Sequence, residues 1–241
     1  DSEPKIFVGD TCSQEILQVL ATKIDESRLV LIDDFKSGKR KTSSNCKIAL
    51  KNTTDVAVLI YTSGTTGRSK GAMLTHGNLT DNALALVKLW GFSVNDVVLH
   101  SLPIFHIHGL FVALNCALIV GAKLLWQNKF EAGKVVKELP KVTVFMGVPT
   151  YYSRLLREQK LNKDRCKKMR LFISGSAPLT VEAHRAFLKR TGHIILERYG
   201  MSEAGIITSN PLDGDRLEGT VGFPLDSYDL RIVGDSDELL K

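Results

Sequence analysis

VTVFMGVPTYYSRLLREQK (Val142–Lys160) and LFISGSAPLTVEAHRAFLKRTGHIIL (Leu171–Leu196) carry the pattern that decides the fold. Short apolar, partly β-branched runs at Val142–Phe145, Leu171–Ser174 and Ile194–Leu196 predict strands. Between them, apolar residues at helical spacing over Tyr151–Lys160 and Thr180–Thr191 predict helices, and Gly192 supplies a stop for the second. Strand and helix alternate, and that order places helices against a largely parallel sheet.

The same alternation extends toward the amino end. Strands are predicted over Asp55–Tyr61, Val97–Leu102 and Lys123–Trp126, with a buried helix over Leu110–Val120. Leu79, Ala83, Leu86, Val87 and Trp90 form a helical stripe, opened by Asn78 with Asp81 three residues on. Residues 211–241 read differently, with glycines punctuating short runs such as Tyr228–Val233. The expected class is an α/β layered fold with largely parallel sheet flanked by helices. Residues 1–210 form its α/β portion, and 211–241 begin a small β-rich segment.

Composition narrows the function classes. The chain has 241 residues, 44% of them hydrophobic and 24% charged, which excludes disordered, collagenous and coiled-coil proteins. Its longest apolar stretch, Leu110–Ala122, contains Asn115 and falls short of the ~18 or more residues a membrane span needs, so no span is expected. A net charge of +6 favours anionic partners. The basic clusters Lys36–Lys41 and Arg165–Arg170 lack interleaved aromatics that stack bases, so they read as solvated surface and no nucleic acid is expected. Lys36–Asn45 reads as an exposed loop. Cys12, Cys46, Cys116 and Cys166 are scattered without metal-ligand spacing, which points to thiols in a reducing, cytoplasmic setting. Asp1 opens the chain without a leader-like pattern, and both ends are expected to be cuts within a longer polypeptide.

Ligands of parallel α/β sheets bind at the carboxyl ends of the strands. Five unusual loops follow the predicted strands. They are Tyr61-Thr-Ser-Gly-Thr-Thr-Gly-Arg-Ser-Lys-Gly71, Pro103–Gly109, Gly147–Thr150, Ser174-Gly-Ser-Ala-Pro-Leu179 and Glu197-Arg-Tyr-Gly-Met-Ser-Glu203. All five are expected to face one cleft. The first concentrates glycines, hydroxyls and Lys70, a donor set suited to a polyphosphate. It is not a Walker A loop, because its order is Ser69-Lys70-Gly71 with no helix start after the lysine.

Together these motifs resemble the adenylate-forming acyl-CoA synthetase superfamily, and Glu197-Arg-Tyr-Gly200 is most similar to the malonyl-CoA synthetase group. The resemblance covers nearly the whole chain, as the central part of a large amino-terminal domain. It implies ATP, Mg²⁺ and CoA as cofactors and co-substrates. Thr62, Ser63, Gly64, Thr65, Thr66, Gly67 and Lys70 would hold the β- and γ-phosphates. Gly175, Ser176, Ala177 and Pro178 would line the adenine site, with Tyr199 stacked on the base and Gly200 and Met201 beside it. Ser202 would touch the α-phosphate, and Glu203 would help hold Mg²⁺. His106 would flank the reacting carboxylate, with Ser176 also contacting the substrate and Met146, Gly147 and Val148 as the acyl wall; His108 stays undecided. Arg198 would neutralise the second carboxylate of malonate or methylmalonate with a planar pair of donors, unless it pairs with Glu197 or Glu203. Other members continue into a mobile carboxyl-terminal domain that no stretch here matches, so this segment alone is expected to be inactive or impaired. Two alternatives remain open: a ligase for a fatty or aromatic acid, and a non-catalytic nucleotide-binding remnant.

Overall fold

The protein is described from a computed structural model, which covers residues 5–10, 16, 18–19, 22–23, 29–37, 48–62 and 70–240. The chain divides into two compact units, Asp1–Leu50 and Lys51–Lys241. In the first, β1 (Phe7–Gly9) pairs in parallel with β2 (Leu29–Leu31), and α1 (Ile32–Lys36) follows directly. Most of the expected Lys36–Asn45 loop, with Cys12 and Cys46, lies outside the described residues.

The second unit opens on an antiparallel hairpin, β3 (Val56–Thr62) and β4 (Lys70–Thr75), whose register ends with Thr62 opposite Lys70. A strand thus follows the phosphate-type loop, in keeping with the absence of a Walker A helix. Helix α2 (His76–Leu89) starts one turn before the position expected from Asn78 and Asp81. Thr75 caps it: its hydroxyl accepts from the Asn78 N–H at 3.1 Å, and Asn78 Oδ1 accepts from the Thr75 N–H at 3.0 Å. Asn78 is therefore the third residue of a capping box, not the cap.

Then come β5 (Val97–His100), a π-helix (His108–Leu114) continued by α3 (Asn115–Val120), β6 (Lys123–Trp126) and α4 (Ala132–Glu138). The remaining elements are β7 (Val144–Gly147), α5 (Pro149–Leu155), β8 (Leu171–Ser174), α6 (Val181–Thr191), β9 (Leu196–Met201), β10 (Gly205–Ser209) and β11 (Phe223–Pro224). Seven strands form one sheet in the order β11-β10-β9-β8-β7-β5-β6. Neighbours from β6 to β9 run parallel, and β10 and β11 are added antiparallel. The expected α/β class with its largely parallel sheet is what the chain forms.

The sheet pleat sorts side chains into two cores. Leu99, Phe145 and Phe172 face Val135, Tyr152 and Phe187 of α4, α5 and α6. Val98, Val144, Leu171 and Ile173 face Leu86, Val112 and Cys116 of α2, the π-helix and α3. At the amino ends of the strands, Asp96 receives two bonds of 2.7 Å from Arg170, and Arg170 also reaches the Trp90 carbonyl at 2.9 Å.

Several boundaries differ from the sequence reading. Pro149, whose fixed φ suits a first turn, starts α5 early, and the helix ends at Leu155 rather than Lys160. The expected Ile194–Leu196 strand runs on as β9 through the Glu-Arg-Tyr-Gly motif to Met201. Tyr228–Val233 forms no strand; the only pairing there among the described residues is a Val233–Leu239 bridge.

Candidate functional site

β5, β7 and β8 end side by side at His100, Gly147 and Ser174, and β9 continues past them. Their following loops enclose a cavity of about 400 Å³. Its walls are the turn from Leu102 to Gly109, Val148 after β7, Ser176 after β8, and Arg198, Gly200, Met201 and Ser202 of the β9 end. Four of the five loops singled out in the sequence therefore meet here. Ser63, Gly64, Thr65, Thr66 and Gly67 lie outside the described residues; Thr62 and exposed Lys70 mark the base of their hairpin.

Arg198 forms the charged wall. It is 4% exposed, yet its Nε and Nη2 have no hydrogen-bond partner. Neither candidate partner, Glu197 or Glu203, turns to it. Glu197 points to the opposite sheet face, where Oε1 lies 3.5 Å from His184 Nδ1 of α6, and Glu203 Oε1 accepts from the Thr62 hydroxyl at 3.2 Å. Burial without a counter-charge lowers the Arg198 pKa from 12.5 to about 10. Gly175 provides the space: a Cβ there would lie 2.4 Å from Arg198 Cζ.

Opposite stand two histidines. His106 is exposed, with its ring 4.5 Å from that of Phe105. His108, undecided from sequence, is buried on the first turn of the π-helix. Its Nδ1 lies 3.3 Å from Ser176 Oγ, and its Nε2 has no partner. Burial first, then the positive charge of Arg198, push its pKa well below the ordinary value, so the ring is neutral at pH 7. Ser176 holds φ at +70°, unusual outside glycine, and so turns its hydroxyl toward His108. The π-helix widens the turn at this point, a feature often found at sites of function. Gly109 is required there because a Cβ would lie 2.3 Å from the Pro103 carbonyl oxygen.

Of the expected acyl wall, Met146 is 1% exposed within the core on the α2 side of the sheet, on the same face as Val148 but one pleat deeper than the cavity; Gly147 packs beside Tyr151. Of that trio only Val148 lines the cavity. Ala177, Pro178 and Tyr199 are exposed and, although next in sequence to the lining residues Ser176, Arg198 and Gly200, do not line the cavity. Ser202 lines the cavity and exposed Glu203 follows it. The Thr62–Glu203 bond brings the only carboxylate of this motif end to the mouth of the phosphate-type hairpin. One carboxylate there suits a metal whose other ligands are phosphate oxygens and water, and among the described residues there is no cluster of three metal-ligating side chains.

Sequence reading missed Asn82. It lies on the apolar stripe of α2, three residues after Leu79 and four before Leu86, and is 8% exposed. An amide on an apolar stripe was the available signal.

The family model described as AMP-binding enzyme matches residues 1–241. The malonate–CoA ligase ACSF3 of Homo sapiens, named as mitochondrial, is 40% identical over 256 residues, covering 99% of this chain and 44% of its own length. Its Bos taurus counterpart, also named as mitochondrial, is 36% identical with the same coverage. ATP-bound MatB from Rhodopseudomonas palustris matches at a TM-score of 0.91 and 42% identity, over 100% of this chain and 49% of that one. The chain thus spans about half or less of these relatives. No helix among the described residues is long and apolar enough to cross a membrane. Because the match runs the length of the sequence and its motif loops converge on one cavity, the chain belongs to the AMP-binding enzyme family.

Proposed function

We propose that this chain carries the nucleotide and acyl pockets of an acid–CoA ligase that activates malonate, and methylmalonate beside it. The observation that supports this is the buried, unpartnered guanidinium of Arg198. An uncompensated cation in a dry wall costs several kcal/mol, and a dicarboxylate bound by one end to the reacting centre would supply the missing charge with its other end. His108 and Ser176, facing Arg198, would add hydrogen bonds to the same carboxylate. A neutral His108 is suited to this, since it offers one donor without adding a second cation. A fatty or aromatic acid would instead leave Arg198 buried and unpaired.

In the proposed reaction the free carboxylate of malonate attacks the α-phosphorus of ATP, forming the acyl–phosphate bond as the bond to pyrophosphate breaks. The sulfur of CoA then attacks the acyl carbon, AMP leaves with the bonding electrons, and the thiol proton passes to solvent. His106, at the exposed edge, would border the reacting carboxylate. Ser202 would meet the α-phosphate, and Thr62 and Lys70 with the intervening loop would take the phosphates that depart. Glu203 would hold Mg²⁺, which when bound neutralises charge on the phosphates. Relatives whose names state malonate–CoA ligase, and a malonyl-CoA ligase structure with methylmalonyl-CoA and AMP bound at 37% identity, TM-score 0.68, support this reading.

The test is pyrophosphate release from the complete protein with ATP and malonate, methylmalonate, octanoate or benzoate. Malonate and methylmalonate should be preferred over both monocarboxylates. Replacing Arg198 by Met should raise KM for malonate by ~100-fold or more while KM for ATP stays within about threefold, the scale for losing a buried charge partner. Preference for octanoate or benzoate, or equal effects on both substrates, would overturn the reading.

A further inference from the structure

The turn that carries Glu203 and Ala204 between β9 and β10, with the first residues of β10, Gly205 and Ile206, is held from behind by two residues outside the cleft. Asn82 of α2 donates Nδ2 to the Ile206 carbonyl at 2.8 Å, and its Oδ1 accepts from the Ile206 N–H at 3.1 Å. The Tyr228 hydroxyl donates to the Ala204 carbonyl and accepts from Asn82 Nδ2 at 3.3 Å. Burial raises the pKa of Tyr228, so that hydroxyl keeps its proton at neutral pH. Gly205 holds φ at +71°, and a Cβ on it would lie 2.8 Å from Asn82 Oδ1, so glycine is what lets the turn close onto the amide.

Two facts give this clasp a direction. A cavity of about 350 Å³ lies between α2 and the turn, bordered by Asn78, Asn82, Glu203 and Tyr228, so Glu203 and Ala204 rest on the hydrogen bonds beneath them, while Ile206 is anchored in the core. Helix α2 also follows β4 without an intervening residue, which makes it continuous with the hairpin whose Thr62 bonds Glu203. Asn82 therefore fixes the backbone under Glu203 in the frame of the phosphate-type hairpin. Buried amides with all their bonds made hold such geometry tightly, because any shift leaves an N–H or C=O unpaired.

We infer that Asn82 and Tyr228 are positioning residues that set the Glu203 carboxylate against the Thr62–Lys70 end of the hairpin, and thereby the affinity for the metal–nucleotide complex. The inference rests on the reading of Glu203 as the metal-holding group, and Arg198 stands outside it.

Calorimetric titration of the complete protein with ATP, with and without Mg²⁺, tests it. Asn82→Ala should weaken binding of Mg²⁺–ATP by roughly 10- to 100-fold, the usual effect of removing a group that orients a metal ligand. Tyr228→Phe, which keeps the ring, should weaken it several-fold. Both should leave metal-free ATP binding and the malonate-to-octanoate ratio within about twofold of the unchanged protein. Wild-type Mg²⁺–ATP affinity in folded Asn82→Ala and Tyr228→Phe would overturn the inference; if Asn82→Ala does not fold, Tyr228→Phe decides alone. Glu203→Gln separates the two levels. If it leaves metal dependence intact, the Glu203 reading fails and the clasp inference with it. If it abolishes metal dependence while the clasp variants retain it, only the clasp fails.

Discussion

Arg198 lies against the bare α-carbon of Gly175, so close that a Cβ there would be 2.4 Å from Cζ and 2.5 Å from Nε. Residues from two neighbouring strand ends thus share one volume, and the charge has its place only because the side chain is absent. Gly175→Ala should push the guanidinium out of the cavity wall and raise KM for malonate by about 10- to 100-fold, the scale of a misplacement near 1 Å. Steady-state kinetics with malonate and ATP varied in turn would check this, with KM for ATP the less affected.

Arg198→Met removes a buried cation that has no counter-charge. The unliganded protein should gain about 1–3 kcal/mol of stability, as when buried charges are replaced by apolar groups, while losing malonate. Thermal unfolding of the two proteins without ligand reads the sign directly, and a lower Tm for the variant would contradict the picture of an unpaired charge.

Acid should weaken the fold through its buried histidines. Burial lowers the pKa of His100 and His193, and of His108 further, all from an ordinary value of 6.5. Below pH 6.5 the unfolded chain binds protons that the native state refuses, so stability falls as pH drops. Each such histidine contributes a slope of about 1.4 kcal/mol per pH unit until its native pKa is reached. Denaturant unfolding between pH 7.5 and 5.5 would show the decline, and His108→Gln should flatten it by about one proton.

The Asp96–Arg170 pair predicts a purely structural effect. Burial raises the Asp96 pKa, but bonds from Arg170, Thr143 and the Ser93 N–H outweigh it, leaving the carboxyl below its ordinary value. Asp96→Asn would leave Arg170 facing a neutral amide at the amino ends of β5 and β8, the edge opposite the cavity. Because the Arg170 side chain keeps 31% exposure, a loss of about 1–3 kcal/mol is expected, seen as a lower denaturation midpoint, with KM for every substrate unchanged.

How far the sequence could be read varies by residue. Val144, Phe145 and Met146 alternate between two cores as strand periodicity requires, and Thr180 and Gly192 bracket α6 as their types demand. The run from Leu196 to Met201 was harder: Glu197 and Arg198 are charged, and burial inside a strand contradicts their propensity. They are tolerated there because Glu197 faces His184 across α6 while Arg198 faces a cavity. The Tyr228 region forms no strand: its N–H donates to the Leu225 carbonyl at 2.9 Å and closes a turn, while its hydroxyl holds Ala204.

The sequence by itself determined the order of strands and helices, the loops at the carboxyl edge of the sheet, and the family, because these depend on periodicity and on motifs within a few residues of each other. Tertiary structure decided which groups have partners. Asn82 meets Ile206 124 positions away, and Thr62 meets Glu203 141 positions away. Whether Arg198 is paired depends on where Glu197 and Glu203 point once β9 is seated between β8 and β10. Hydrogen bonds and charge pairs act over a few ångströms, so they are settled only when the fold brings distant segments to that range.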